Sequence, residues 1–355
     1  MYMKRFSAAL ENYEAFWEHR SIGRPILNLT VCEDTSWQRP PRDVQQKWLD
    51  ADFILEMAHA QATRYDYIAE GVPNLFANLG PGMLAACIGG SYVLAPNTVW
   101  FDQDPIIRDW DNPPEIRFDP ESELWQHLER IQRHCLPDGN FPVSVTDLGG
   151  IMDIMASLRG TENLLYDLYD YPDAVREMSR RVLKLWFEAF DRQTALVGST
   201  GLPYTSWMNI HSKKPWFPLQ CDFCAMISPA QFEQFVLEDL VAQTEYLPRS
   251  IYHLDGVGEV CHLDMLLDIP HLNGIQWTPG AGKPDMLNPC WHDMYKKIQA
   301  KNKNIVLLGA FGEYNLPALE ALIKTLDPTG LFISGWCTNR AAGEHILECV
   351  EKWSR

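Results

Sequence analysis

The chain has 355 residues, 46% of them hydrophobic and 22% charged, an ordinary globular composition. Its formal net charge of −17 repels phosphate backbones, so nucleic acid is excluded as an expected partner. No run of ~18 uncharged apolar residues is available to span a membrane, and the opening MYMKRFSAALENYEAFWEHR has no apolar core of a secretory signal.

Nine scattered cysteines, an odd number, point to reduced thiols, and a cytoplasmic location is expected. A first helix ends near Arg20 and leads into a strand, RPILNLTV (24–31). A helix around 42–63 precedes a second strand, VPNLFANLG (72–80). Residues 95–140, rich in Pro, Asp and aromatics at their start, predict a loop or hairpin insertion over one end of the fold.

From Phe141 onward short apolar runs alternate with helical stretches. The predicted strands are FPVSV (141–145), LPYTSWM (202–208), SIYHL (250–254), NGIQW (273–277), NIVLLGA (304–310) and GLFIS (330–334). Helices are expected from Tyr171 to about Leu196, from Ser228-Pro229 with Ser as N-cap and Pro at N1, from Asn315, and from about Ala341 to Trp353. Eight strands separated by helices predict one α/β domain over residues 1–355. The expected fold is a (β/α)₈ TIM barrel with an N-terminal helical extension, and an open doubly wound sheet is the alternative. Neither GxGxxG after a strand nor GxxxxGK[ST] is present, which argues against dinucleotide and P-loop chemistry.

In such a barrel, functional side chains gather at the C-terminal ends of the strands. Tyr252-His253-Leu254-Asp255-Gly256 ends the fifth predicted strand, and alternation puts His253 and Asp255 on one face. Imidazole and carboxylate together can ligate zinc or exchange protons. The plain alternative is a histidine held by a structural aspartate. Cys337, in FISGWCTNR (332–340), ends the last strand. Alone it is a buried thiol; paired with His253 it becomes a soft zinc ligand.

Asp147, Trp207, Trp277 and Trp336 also end strands and predict a mouth suited to a planar or apolar ligand, although core packing explains each tryptophan equally well. Segment 209–228 is expected to be a loop over the site. Its Cys221-Asp222-Phe223-Cys224 is a lone CxxC, a weak zinc signal, and is taken as packing. His262 and Asp264 are taken as structural or capping.

Four stretches together resemble the uroporphyrinogen decarboxylase superfamily in order and spacing. They are FPVSVTDLGGIMDIMASLRGTENLLYDLYDYPDAV (141–175), MISPAQFEQFVLEDL (226–240), YHLDG (252–256) and SGWCTNR (334–340). The resemblance covers most of the chain from about residue 70. It implies a (β/α)₈ barrel and one of two chemistries. One is cofactor-free decarboxylation of porphyrinogen acetates. The other is zinc-dependent methyl transfer from a corrinoid protein to a thiol.

The decarboxylases carry an arginine-bearing segment after the first strand and an aspartate after the second. Here stand LTVCEDTSW (29–37), without arginine, and PNLFANLGPG (73–82), which offers Asn78. An acidic first loop with Glu33 and Asp34 would repel a polycarboxylate. The methyltransferases carry His-x-Cys-Gly after strand five and a second Cys after strand eight. His253 and Cys337 match, and Asp255 replaces the first Cys.

The resemblance therefore implies a metal-dependent methyltransferase. Zinc would be held by His253, Asp255 and Cys337, and methylcorrinoid would be presented by a partner protein. Asn78, Asp147, Trp207, Trp277 and Trp336 would contact the substrate. The alternatives are a cofactor-free decarboxylase or lyase using His253 and Asp255 for proton transfer on a small acid, and a non-enzymatic corrinoid- or tetrapyrrole-binding module.

Overall fold

Apolar residues at every second position build a sheet with two differently buried faces. The structure, a computed structural model, describes residues 2–101, 104–311 and 315–354. Its main sheet has seven strands: β1 (Ile26–Val31), β2 (Asp66–Ala69), β5 (Phe217–Leu219), β6 (Ser250–Asp255), β7 (Gly274–Thr278), β8 (Asn304–Phe311) and β9 (Leu331–Cys337), in the order β2-β1-β9-β8-β7-β6-β5. All neighbours run parallel except β2, which is antiparallel to β1. A separate hairpin pairs β3 (Val93–Leu94) with β4 (Val99–Trp100).

One face of the sheet carries Leu29, Leu254, Ile275, Leu307 and Ile333, all buried in the larger apolar core. The other carries Ile26, Ile251, Val306 and Phe332, which pack on Phe6, Leu10, Tyr13, Phe16 and Trp17 of α1 (Tyr2–Trp17). The N-terminal helix is thus built into this second core. A buried, doubly bonded ion pair fastens it to the start of β6: Arg249 donates to both oxygens of Glu14 at 2.8 Å.

Between β1 and β5 the hydrogen-bonded ladder is interrupted. The predicted strands 72–80, 141–145 and 202–208 make only single bridges among the described residues. Leu75 pairs with Val143, Val145 N–H donates to Thr205 O at 3.2 Å, and Tyr204 pairs back on Ser212. Pro73, Pro142 and Pro203 each remove a backbone donor, which limits regular pairing here. Among the described residues a closed eight-stranded ladder is therefore not formed. What stands is a mixed α/β fold around a mostly parallel sheet.

The helical layer begins with α2 (Val44–Leu49) and α3 (Ala51–Arg64), divided at Asp50, whose side chain accepts from Phe53 N–H and caps α3. After the short α4 (Leu84–Cys87) comes α5 (Glu123–Cys135), which buries Leu124, Trp125, Leu128 and Ile131. The expected insertion 95–140 is thus part hairpin and part core helix, because ELWQHLERIQRHC keeps a helical apolar period behind its Pro- and Asp-rich lead.

Next are α6 (Ile151–Arg159), α7 (Thr161–Asp170) and the long α8 (Pro172–Val197). A capping box formed by Ser228 and Gln231 opens α9 (Pro229–Phe235), followed by α10 (Leu237–Tyr246). Between the last strands lie α11 (Leu263–Leu267), α12 (His292–Ala300) and α13 (Leu316–Thr325), and α14 (Arg340–Trp353) follows β9. No described helix is long and apolar enough to cross a membrane.

Candidate active site

At the C-terminal end of β6, His253 and Asp255 share the face of Ile251, as strand alternation requires. His253 Nε2 lies 3.8 Å from Asp255 Oδ2. The third member is Asp222, at the start of a 3₁₀ turn (Asp222–Met226) after β5. One ligand atom from each of Asp222, His253 and Asp255 lies within 4.8 Å of the others.

Asp222 is held there by a second carboxylate. Asp153, on α6, accepts Asp222 N–H at 3.1 Å and Phe223 N–H at 2.8 Å, so it caps the 3₁₀ turn. Gly150 makes room for this contact, because a Cβ at that position would collide with Gln220 O and the Asp153 carboxylate. Burial and the charge of Asp222 push the Asp153 carboxyl up to about 7. Asp222 is itself raised, first by desolvation and then by Asp255, while His253 opposes the shift. Asp147, buried nearby with Oδ1 accepting from Gly149 N–H at 2.8 Å, is raised to about 6, chiefly by burial. The site concentrates negative charge that a bound cation would relieve.

The ladder register sets Gln276 and Thr278 of β7 beside His253 and Asp255. Gln276 Oε1 bonds His253 Nδ1, and Gln276 Nε2 donates to Thr278 Oγ1 at 3.0 Å. Trp207 stands edge-on to the imidazole, with ring centroids 5.1 Å apart at 84°. Behind the cluster, fully buried Glu259 is pushed up to about 11 by desolvation, so it is protonated at neutral pH. Cys221 and Cys224 are also buried, and Cys224 Sγ contacts Tyr252 Oη at 3.6 Å; this CxxC packs in the core.

Two cavities meet this cluster. One of about 270 Å³ is lined by Asp222 and Asp153 with Trp100, Phe101, Phe223 and Met226, and it has no basic lining residue. The other, about 480 Å³, is lined by Asp255, Thr278, Gly280, Lys283 and Asp285 among others.

The structure brings only some of the sequence candidates together. His253, Asp255 and Trp207 are adjacent, and Asp147 interacts electrostatically with Asp222. Cys337 is placed elsewhere. It shares the face of Leu331 and Ile333, and a Cβ on Gly343 of α14 would lie 3.4 Å from its Sγ. Its face is the one turned to the helices, opposite to that of His253. Trp277 lies on that face too, 5.1 Å from the Trp291 ring. Trp336 is 52% exposed and edge-on to Tyr65 at 5.9 Å. Asn78 is exposed, and its Oδ1 accepts Gly80 N–H at 2.9 Å within a turn.

Glu33 and Asp34 are taken up locally. Glu33 accepts Arg340 N–H at the start of α14, and Asp34 accepts from Ser36 N–H and Oγ. Sequence reasoning missed Asp222, Asp153 and Gln276 as site residues. Gln276 alone left a signal, as the polar inward position of an otherwise apolar strand.

No family model and no curated protein sequence matches this chain. Among solved structures it is similar to a methyltransferase from Methanosarcina mazei, with a TM-score of 0.60 and 10% identity over 96% of this chain and 97% of that one. At that identity the likeness establishes a shared fold, and function has to be argued from the site.

Proposed function

We propose that the protein is a metal-dependent methyltransferase whose metal is held by Asp222, His253 and Asp255. The observation that carries this reading is the convergence of one imidazole and two carboxylates within 4.8 Å beside a cavity. That donor set suits a divalent ion: zinc accepts nitrogen and oxygen ligands, and the absence of sulfur also admits harder ions such as manganese. Three protein ligands are the usual number at a catalytic zinc, leaving a position for substrate. When bound, the ion supplies positive charge that lowers the pKa of an acceptor group.

The chain's own residues do the rest. Asp153 fixes Asp222 through the backbone of the 3₁₀ turn, Trp207 stands edge-on to the imidazole, and Trp100, Phe101 and Phe223 give the cavity an apolar lining. We take the gap segments near Leu75, Val143 and Thr205 as completing a (β/α)₈ barrel of the uroporphyrinogen decarboxylase type, with the cluster at its mouth. The donor in this reading is methylcorrinoid on a partner protein, and the acceptor is a thiol or similar group. The acceptor thiol would release its proton to solvent, its sulfur would take the methyl group, and the corrinoid would be left in its Co(I) state. Uroporphyrinogen is a poor candidate substrate, because the cavity beside Asp222 presents Asp153 and Asp222 and no cationic side chain to a polyanion.

The test is a spectrophotometric assay with methylcobalamin and a small thiol, with the protein first stripped of metal and then reloaded with zinc or manganese. The expected result is formation of cob(I)alamin that needs metal and is lost in His253→Ala. Decarboxylation of a small acid or of uroporphyrinogen by metal-free protein would replace this reading with a lyase.

A further inference from the structure

His253 has two ring nitrogens, and only a nitrogen without a proton can ligate a metal. Its Nε2 faces Asp255 Oδ2, while its Nδ1 meets the Gln276 amide across the β6–β7 ladder. We propose that Gln276 is a positioning residue that selects the tautomer of His253: its Oε1 accepts from Nδ1–H and leaves the Nε2 lone pair directed at the carboxylates. The proposal rests on the metal-site reading for its purpose but not for its geometry.

Three features support the assignment. Gln276 is 1% exposed, so its amide is confined by packing rather than free to follow the imidazole. Its far end is engaged by Thr278 Oγ1 at 3.0 Å, which anchors the amide plane beside His253. Trp207 borders the ring on another side, edge-on at 84°, and restricts its rotation. An amide reversed about its last bond would present N–H to Nδ1, move the proton to Nε2 and close the ligand position. Partners of this kind behind a ligating histidine typically change metal affinity by about 10–100-fold when removed.

Gln276→Leu removes the acceptor while keeping the volume, and Gln276→Glu keeps an oxygen facing Nδ1. The experiment records ¹⁵N chemical shifts of the His253 ring in metal-free protein at pH 8.5, together with zinc affinity by competition with a chromophoric chelator. The expected wild-type signature is the neutral Nδ1–H tautomer. Gln276→Glu retains it, whereas Gln276→Leu loses it and binds zinc about 10–100-fold more weakly. A wild-type ring protonated at Nε2, or a folded Gln276→Leu with unchanged tautomer and affinity, overturns the proposal. Wild-type protein with the Nδ1–H signature but no zinc binding supports the positioning role and removes the metal reading instead.

Discussion

His253 and Asp255 leave β6 on the same side, with Nε2 of the ring 3.8 Å from Oδ2 of the carboxylate. Their pairing is a local consequence of the two-residue repeat of a strand. The third partner, Asp222, arrives from a different strand end, and its position depends on the Asp153 cap.

The ligand set can be tested by single substitutions. Asp222→Asn and His253→Ala should each weaken zinc binding at least ~10-fold, since each removes one of three donors. Cys337→Ser should leave affinity within about twofold, because its Sγ lies toward α14. Competition titration with a chelator separates the cases, and an equal loss in Cys337→Ser would restore a thiolate to the site.

Gly150→Ala places a methyl group against Gln220 O and the Asp153 carboxylate. Asp153 then has to shift, releasing the N–H groups of Asp222 and Phe223. We expect reduced metal affinity although no ligand is altered, with thermal unfolding lowered by a few degrees. Wild-type affinity in this variant would show that the cap does not set the position of Asp222.

Asp239 gives a pH dependence. It is buried, accepts from Ser179 Oγ, and burial raises its carboxyl from 3.8 to about 6. Between those values the unfolded chain has released the proton that the folded chain keeps. Its contribution therefore lowers stability as pH rises from about 4 to 6, then levels off. Asp239→Asn should match wild type near pH 4 and exceed it by about 2–3 kcal/mol at pH 7. Urea unfolding at both pH values reads the difference, and an equal offset at both would assign the effect to packing.

The Glu14–Arg249 pair offers a double-variant test. Both side chains are at most 9% exposed, and together they tie α1 to β6. Removing one partner strands a buried charge, so Glu14→Leu should cost about 3–5 kcal/mol. Adding Arg249→Met should recover part of that loss. Additive losses, measured by denaturant unfolding of all three variants, would contradict the account.

By itself the sequence determined what local rules control. The 3.6-residue period and the cap at Ser228 set the helices, and the two-residue period brought His253 and Asp255 to one face. The five strand candidates at 24–31, 250–254, 273–277, 304–310 and 330–334 all fall on observed strands, since beyond Pro25 no proline interrupts their backbone donors. The candidates at 72–80, 141–145 and 202–208 form only bridges, because prolines and the turn at Asn209 compete with pairing that depends on distant neighbours.

Tertiary structure alone decided which residues complete the site. Gln276 meets His253 only through the β6–β7 register, and Asp222 meets it only through a turn capped from α6. Cys337 is at the expected strand end, but which face of β9 turns to the helices is settled by packing across the sheet. Position along a strand is written in the chain, whereas the direction of a side chain relative to other strands is a property of the assembled sheet.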